Sequence, residues 1–244
     1  MIAVARSIRT QFVNLRPTRW FVYIFVRVVL GIVCRVDSRE LSKVPPRGPL
    51  ITISNHTGSL EVPIIGTWLY PRPVTAWAKI ETWDNRLMGW LFDVWGAIPL
   101  RRGEADMFAL RTALQKLQEG YILGVAPEGT RSRTGKLLRG HPGAVTLALR
   151  SNAPFLPIVH WGGEKLMSNL KRFRRTSFSM RVGKPFRLNI NGERLTREQR
   201  QQVVDEMMYQ VAALLPEEYR GEYSDMSKAT AHYLKFDIPT DERP

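Results

Sequence analysis

The sequence predicts a layered α/β domain in which helices flank a largely parallel central sheet. Short β-prone runs alternate with helical segments from residue 50 to residue 160, a pattern typical of such folds. The chain has 244 residues, enough to bury a sizeable core. Hydrophobic residues make up 44% of it, which fits a folded domain and argues against disorder.

The first elements follow from a short apolar run and a proline. A strand over 50–54 leads into a loop that holds His56. A helix is expected over 62–70, because Pro63 lacks an N–H group and is tolerated only near a helix start. Glu61 should therefore lie at the beginning of this helix, with His56 in the loop before it.

Apolar periodicity and turn residues place the later elements. Further strands are predicted over 74–80, 97–100, 121–125, 155–161, 177–182 and 186–190, and the segment 96–103 that contains the second of these ends in a basic turn. Further helices are predicted over 84–95, 105–119 and 143–151. A last helix begins after Thr196, which forms a capping box with Gln199. The buried stripe of this helix is predicted at Val204, Met208, Val211 and Leu215.

The first 35 residues differ in character from the rest. Basic residues precede an apolar and aromatic run over 20–34, which Arg27 interrupts. Neither half reaches the roughly 20 apolar residues that a spanning helix needs, and no small-residue cleavage site follows. We predict that 1–35 is an N-terminal amphipathic segment associated with a membrane surface. Packing of this helix on the protein's own core is the alternative.

The rest of the chain is predicted to form one domain over 36–216. After Pro216 the sequence is polar and weakly patterned, so 217–244 is expected to be a tail that packs loosely or not at all. Cys34 is the single cysteine and cannot form an internal disulfide. We interpret it as a small apolar residue that is buried or faces lipid.

The net charge of +14 indicates an anionic partner. Nucleic acid and anionic lipid both satisfy this requirement. The sequence contains no zinc-ligand pattern, no aromatic RNA-binding signature and no basic heptad helix, so lipid is favoured.

His56 and Glu61 form the first chemical motif. A carboxylate that accepts a hydrogen bond from one imidazole nitrogen fixes the tautomer, and the other nitrogen can then take a proton from a hydroxyl. Residues five apart do not share a face of a straight helix, so the pair requires His56 to precede the helix. Two unrelated residues at this spacing are the simpler alternative.

Three further segments carry candidate phosphate ligands. The segment 127–132 (P-E-G-T-R-S) follows a predicted strand and offers a flexible glycine, two hydroxyls and an arginine. Arg101 and Arg102 end another strand. The basic run 171–175 contains one aromatic residue, Phe173, and can contact phosphate groups of nucleic acid or lipid. A helix-capping turn or a solvated loop is the alternative in each case.

Taken in order, these motifs resemble those of the PlsC-type glycerolipid acyltransferases, which include lysophosphatidic acid acyltransferase. The family has N-H-x-x-x-x-D, an arginine after an apolar strand, F-P-E-G-T-R-S, and an apolar stretch around a proline. The matching segments here are 55–61, 98–102, 126–132 and 153–159. The resemblance covers roughly residues 40–190.

The resemblance implies a role for each matching residue. His56 would be the general base and Glu61 would orient it. The substrate phosphate would be bound by Arg101 and Arg102 together with the motif residues Glu128, Gly129, Thr130 and Arg131. Pro157 would shape the acyl-donor side. The co-substrate would be acyl-CoA or acyl carrier protein, and no cofactor or metal is implied.

This chain departs from the family pattern at three places. Glu61 stands where the family usually has Asp, which leaves the identity of the acceptor open. The segment 141–143 (H-P-G) replaces Lys-x-Gly, and Ala126 replaces an aromatic residue.

The function implied is acylation of a lysophospholipid in phospholipid biosynthesis, most of all lysophosphatidic acid to phosphatidic acid. The expected location is the cytoplasmic face of the cell membrane, bound peripherally or monotopically to anionic lipid. Another lysophospholipid or a membrane glycolipid is the alternative acceptor. A basic protein that only binds lipid or nucleic acid is the non-enzymatic alternative.

Overall fold

The structure, a computed structural model, describes residues 16–58, 60–101, 103, 106–190 and 195–236. The strands are β1 (Cys34–Asp37), β2 (Leu50–Ile53), β3 (Val74–Lys79), β4 (Ile98–Leu100), β5 (Ile122–Val125), β6 (Phe155–Trp161), β7 (Thr176–Val182), β8 (Arg187–Leu188) and β9 (Leu234–Lys235). The helices are α1 (Arg16–Val33), α2 (Glu61–Trp68), α3 (Arg86–Trp95), α4 (Met107–Gln118), α5 (Gly143–Ser151), α6 (Leu166–Leu170) and α7 (Arg197–Leu214).

Seven strands form the central sheet in the order β1-β7-β6-β2-β5-β3-β4. Neighbouring strands are parallel except for β6 and β7, which are antiparallel. Strands β8 and β9 form a separate antiparallel pair. The prediction of a layered α/β fold with a largely parallel sheet is thus confirmed.

Each face of the sheet is covered by its own apolar cluster. Side chains alternate between the two faces along each strand, so Ile51 and Ile53 point to one cluster and Leu50 to the other. The first cluster contains residues of α4, α5 and α7, and the second contains residues of α1 and α2. This three-layer arrangement leaves the strand ends free to carry loops.

Helix α1 joins the two halves of the N-terminal apolar run. Arg27 lies within the helix, and its guanidinium stacks 5.0 Å from the Trp68 ring centroid. Tyr23 and Leu30 are buried against the domain, and Cys34 is fully buried just after the helix. Residues 1–15, part of the predicted segment 1–35, lie outside the described residues. Of the helices in the described part of the chain, none combines the length and apolarity needed to cross a bilayer.

The chain after Pro216 corrects one prediction. Residues 217–236 pack closely on the domain, with Tyr219, Tyr223 and Leu234 buried in the main core. The polar character of this segment reflects its hydrogen bonds, since buried Glu206 on α7 accepts from three groups at 2.8–3.0 Å. The donors are the Thr230 hydroxyl and the amides of His232 and Tyr233. The expectation of a loose tail is therefore wrong for these residues.

The last long helix begins as predicted. Thr196 and Gln199 form the capping box, and the four residues of the predicted stripe are buried. The predicted strand over 186–190 is shorter, because its paired strand consists of Arg187 and Leu188, which pair with the C-terminal segment. Phe186 just before them contacts the main sheet through a single bridge to Phe155 of β6.

Candidate active site

The carboxyl ends of four parallel strands meet at one edge of the sheet. His56 follows β2, the loop at 126–132 follows β5, Lys79 ends β3 and Arg101 follows β4. Parallel strands place their following loops on the same edge, which is where α/β sheets bind ligands. Segments separated by up to 76 residues are brought together in this way.

His56 and Glu61 are in direct contact. His56 lies in the loop before α2 and Glu61 is the first residue of that helix, as predicted. The distance from His56 Nδ1 to Glu61 Oε1 is 2.5 Å, with Glu61 buried and the His56 side chain 19% exposed. The Gly58 amide also donates to Glu61 Oε1 at 3.4 Å.

The protonation states in this pair follow from the surroundings of Glu61. Burial alone would raise the pKa of Glu61, but the hydrogen bond from His56 and the nearby His160 outweigh burial and lower it. The ionised carboxylate only accepts hydrogen bonds, so His56 Nδ1 carries the proton. Nε2 is then the basic nitrogen that is available to a substrate.

Glu128 accepts a hydrogen bond from the backbone amide of His56. Its carboxylate is 1% exposed, and its two oxygens accept from the amides of His56 and Leu138, each at 2.8 Å. Burial raises the pKa of Glu128 to about 7, although the two amide hydrogen bonds lower it. Glu128 thus connects the loop after β2 to the loop after β5.

The loop after β5 makes a second backbone link to His56. The Ser132 amide donates to the His56 carbonyl at 2.7 Å. Gly129 has a φ of +65°, which favours glycine, and its amide donates to the Ala126 carbonyl at 3.1 Å. The His141 amide donates to the Pro127 carbonyl at 2.8 Å, which closes the loop. His56 is therefore held at both its amide and its carbonyl.

Asn55 and His160 anchor the same loop to β6. The Asn55 side chain accepts from the His160 amide at 3.0 Å and donates to the His160 carbonyl at 2.8 Å. His160 Nε2 donates to the Asn55 carbonyl at 2.9 Å, and its ring stacks on Phe178. His160 is fully buried, and its Nδ1 has no hydrogen-bond partner among the described residues. Sequence reasoning missed this link, because it joins residues 105 apart.

A cleft of about 590 Å³ opens beside His56. Apolar side chains form much of its wall: Trp77, Leu100, Met107, Leu110 and Val125. Three cationic residues also line it, namely Lys79, Arg101 and Arg150. Lys79 and Arg150 were not predicted, since a single cation in a strand or helix gives no recognisable motif. A cleft of this composition can hold an amphiphile with an anionic head.

A larger cleft of about 980 Å³ lies between α7 and the C-terminal segment. It shares His141 with the first cleft but does not include His56. Its cations Arg139, Arg197 and Lys228 are offset by four carboxylates, from Glu198, Asp205, Glu206 and Glu222. The smaller cleft contains His56, and Asp106 is the one carboxylate among the residues that line it, so we place the candidate site there.

The predicted phosphate ligands occupy different environments. Arg101 and Gly129 line the cleft with His56. Thr130 and Arg131 are exposed on the same loop but are not among the residues lining the cleft. Glu128 is buried behind His56. Arg102 lies outside the described residues.

Pro157 lies within the central sheet rather than at the cleft. It is buried in β6, aligned with Ile53 of β2, and its carbonyl accepts from the Gly183 amide at 2.9 Å. Among the described residues, no cluster of His, Cys, Asp and Glu has the arrangement of a metal site.

Comparison with known proteins identifies the family. A 1-acyl-sn-glycerol-3-phosphate acyltransferase of Bacillus subtilis is 26% identical over 160 residues, covering 66% of this chain and 78% of the relative. A lyso-ornithine lipid O-acyltransferase of Pseudomonas aeruginosa is 28% identical over 145 residues, covering 59% of this chain and 53% of the relative. Human 1-acyl-sn-glycerol-3-phosphate acyltransferase alpha is 31% identical over 136 residues, covering 55% and 47%. The chain thus spans about half the length of the last two relatives.

A solved structure shares the fold. The 1-acyl-sn-glycerophosphate (LPA) acyltransferase PlsC of Thermotoga maritima matches 84% of this chain and 83% of its own, with a TM-score of 0.57 and 21% identity. A protein-family model described as Acyltransferase matches residues 35–161, which is more than half of the chain. This match includes His56, Glu61 and the loop after β5, and the chain therefore belongs to the acyltransferase family.

Proposed function

We propose that this protein transfers a fatty acyl group from an acyl thioester to the free hydroxyl of a lysophospholipid. The preferred acceptor is lysophosphatidic acid and the product is phosphatidic acid. The observation that carries the proposal is the His56–Glu61 pair, joined at 2.5 Å and opening onto a cleft with apolar walls and cationic residues. Relatives with the same acceptor in their names support it.

His56 acts as the general base. Nε2 takes the proton from the acceptor hydroxyl while its oxygen attacks the thioester carbonyl carbon. Glu61 accepts from Nδ1–H and stabilises the imidazolium that forms. The carbon–sulfur bond then breaks, and the thiolate leaves as a thiol after taking the proton from Nε2. The acyl group moves from sulfur to oxygen and the proton moves from the hydroxyl to the thiolate, so the reaction needs no redox change and no metal.

The cations of the cleft bind the acceptor phosphate. Arg101 is placed at the end of β4, with Lys79 at the end of neighbouring β3. A guanidinium can pair two phosphate oxygens at once, and a lysine adds a point charge. The acyl donor is acyl-CoA or acyl carrier protein, as in the family that the motifs resemble.

Helix α1 brings the enzyme to its lipid substrate. Its outer face carries seven exposed apolar residues, namely Trp20, Phe21, Ile24, Phe25, Val28, Val29 and Ile32. A helix of this kind lies in the interface of a bilayer, and the net charge of +14 favours an anionic surface. The proposed location is the cytoplasmic face of the cell membrane.

A second acceptor class is favoured by one relative. The Pseudomonas aeruginosa relative is named for lyso-ornithine lipid. Glu61, one methylene longer than the usual Asp, changes the spacing between α2 and His56. An acceptor other than lysophosphatidic acid is therefore the second candidate, with the same base and the same acyl transfer.

The test is acyl transfer from labelled acyl-CoA and acyl carrier protein to a panel of lysolipids. The panel contains lysophosphatidic acid and lyso-ornithine lipid, and His56→Ala is assayed beside the native protein. His232→Ala is the matched control, because that histidine lies on the surface of the C-terminal segment. We expect transfer to lysophosphatidic acid that falls by about 100-fold or more in His56→Ala only.

Transfer to lyso-ornithine lipid alone would keep the mechanism and replace the acceptor. Undiminished transfer by folded His56→Ala would refute the role of His56. Absence of transfer from either donor to any acceptor would refute the proposed reaction.

A further inference from the structure

The segment from α6 to β7 carries exposed apolar side chains that the proposed reaction does not use. Met167 is 65% exposed, Leu170 is 38% exposed and Phe173 is 101% exposed. We call residues 167–175 the basic tip. An aromatic ring with its whole surface in water is costly, and adjacent exposed apolar residues usually mark a contact surface.

The backbone of the basic tip is held in a defined turn. The amides of Arg172 and Arg174 both donate to the Asn169 carbonyl at 2.9 Å, and the Phe173 amide donates to the Leu170 carbonyl at 3.0 Å. Phe173 has a φ of +52°, a conformation that side chains other than glycine rarely adopt. The turn thus presents the Phe173 ring outward at a conformational cost, which is typical of functional positions.

The charge of the basic tip is of one sign. Lys171, Arg172 and Arg174 flank Phe173 and are exposed. No Asp or Glu occurs between Lys165 and Ile190. An apolar ring surrounded by cations matches the boundary of a bilayer that contains anionic lipid.

The basic tip lies beside the end of α1. Strands β1 and β7 are parallel and aligned at Cys34 and Thr176, so the residues preceding each strand are neighbours. The Arg175 guanidinium confirms this proximity, because it donates to the carbonyls of Gly31 at 2.5 Å and Cys34 at 2.7 Å. The basic tip therefore adjoins the end of α1 at which the exposed apolar residue Ile32 lies.

The same edge of the sheet carries His56. Strand β7 runs antiparallel to β6, and β6 runs parallel to β2. The beginning of β7 consequently lies at the edge where β2 ends, just before His56. A lipid surface that contacts the basic tip would face the edge of the sheet that holds the candidate base.

We propose that the basic tip is a second membrane contact, in which Phe173 enters an anionic bilayer between Lys171, Arg172 and Arg174. The basic tip and α1 would then contact the bilayer at two points. Two contacts fix the orientation of the enzyme on the membrane, whereas α1 alone would allow the enzyme to rotate about the axis of that helix. This inference deepens the proposed function, because it supplies the lipid surface from which the acceptor is taken.

The test is co-sedimentation of the full chain with vesicles of phosphatidylcholine alone or mixed with phosphatidylglycerol. Phe173→Ser is compared with Leu149→Ser, which removes an exposed apolar side chain elsewhere. We expect Phe173→Ser to weaken binding to the mixed vesicles about tenfold or more. Phe173→Trp should retain binding, and Leu149→Ser should be unchanged.

The charge contribution is tested with the double variant Arg172→Gln/Arg174→Gln. It should lose about tenfold to thirtyfold in binding to the mixed vesicles, and the loss should disappear at high salt. Lys136→Gln/Lys235→Gln removes two exposed charges elsewhere and should bind as the native chain does. Circular dichroism and thermal unfolding verify that every variant is folded.

Unchanged binding by folded Phe173→Ser and by the double arginine variant would overturn the proposal. Loss of turnover with acyl carrier protein while vesicle binding is unchanged would also overturn it, in favour of an acidic protein partner. Vesicle binding does not depend on turnover. A binding defect in Phe173→Ser would therefore stand even if the native chain transferred no acyl group.

Discussion

The length of the Glu61 side chain determines how far His56 can lie from the helix that orients it. Glu61→Gln keeps this length but removes the charge that, in the proposed mechanism, stabilises the imidazolium. We expect kcat to fall by about 100-fold or more in Glu61→Gln. Glu61→Asp keeps the charge and withdraws it from Nδ1, so its loss should be intermediate. Steady-state kinetics at saturating lysolipid measure kcat of both variants. If kcat of Glu61→Gln equals that of the native protein, Glu61 does not orient His56.

Glu128 makes the stability of the fold depend on pH. Its pKa of about 7 lies above the ordinary value of 4.5, so the folded protein retains a proton that the unfolded chain releases. This contribution to stability is fully present below about pH 4.5 and is lost as the pH rises through about 7. Its size is up to about 3 kcal/mol.

Glu128→Gln removes this titration. The variant loses one of the two acceptors for backbone amides and should be less stable than the native protein at every pH. The difference in unfolding free energy between the two should be larger at about pH 5 than at about pH 8. Urea unfolding at the two pH values checks this, and a difference independent of pH would contradict it.

His160 positions Asn55, the residue before the candidate base. His160→Phe preserves the stack on Phe178 but removes the His160 Nε2 donor to the Asn55 carbonyl, which then accepts from the Ser54 hydroxyl alone, at 3.0 Å. We expect a loss of about 1 kcal/mol in stability and about tenfold in kcat, with little change in KM. His160→Gln, which offers another N–H donor, should recover part of kcat. A change in stability alone would make His160 a purely structural residue.

The residues of the candidate site were predictable where motifs carry them. His56 and Glu61 are in contact, as their motif predicts, and His56 and Arg101 both line the cleft. The buried position of Glu128 was not predictable. The sequence shows a glutamate in the motif, but it does not show whether the carboxylate binds substrate or accepts hydrogen bonds from two backbone amides. Its two bonds span 72 and 10 residues.

Helix α1 has two faces with different consequences. Leu30 is buried against residues of α2, whereas Phe21 and Phe25 are 64% and 68% exposed. Leu30→Ala should lower the unfolding free energy by about 2–5 kcal/mol. Phe21→Ser/Phe25→Ser should leave stability within about 0.5 kcal/mol of native and weaken vesicle binding. Urea unfolding and co-sedimentation distinguish the two, and native-like vesicle binding in the second variant would refute the membrane role of this face.

This helix also shows why the sequence left two interpretations open. Apolar residues occur on both faces, so periodicity alone cannot say which face meets the core. Tyr23 lies against Tyr70 and Arg27 against Trp68, which settles the buried side. Membrane association by the other side stays a prediction.

The C-terminal segment is linked to the candidate base through the loop that contains Leu138. The Leu137 amide donates to the Tyr219 carbonyl at 2.9 Å, and the Gly140 amide donates to the Tyr223 hydroxyl at 3.0 Å. Leu138, between them, donates to Glu128, which holds the His56 amide. Packing after Pro216 thus supports the loop that supports the candidate base.

Truncation after Pro216 should therefore be severe. Three core side chains are lost, and the Glu206 carboxylate is left without its donors, a cost of at least about 5 kcal/mol. That is comparable with the whole stability of many domains. Urea unfolding should show a chain that is largely unfolded, whereas a chain ending at Phe236 keeps these contacts. A stable fold ending at Pro216 would contradict the packing role.

Local sequence determined the alternation of strands and helices, the helix start at Glu61, and the order of motifs along the chain. These features depend on side-chain periodicity, on the missing N–H of Pro63 and on capping, all of which act over a few residues. The tertiary structure alone decided that Asn55 bonds His160, that Lys79 and Arg150 share a cleft with His56, and that the C-terminal segment is buried. The physical reason is that these contacts depend on the order of the strands in the sheet. Strand β2 lies between β6 and β5 because the packing of both apolar faces of the sheet selects that order. No local sequence pattern encodes which distant strands become neighbours.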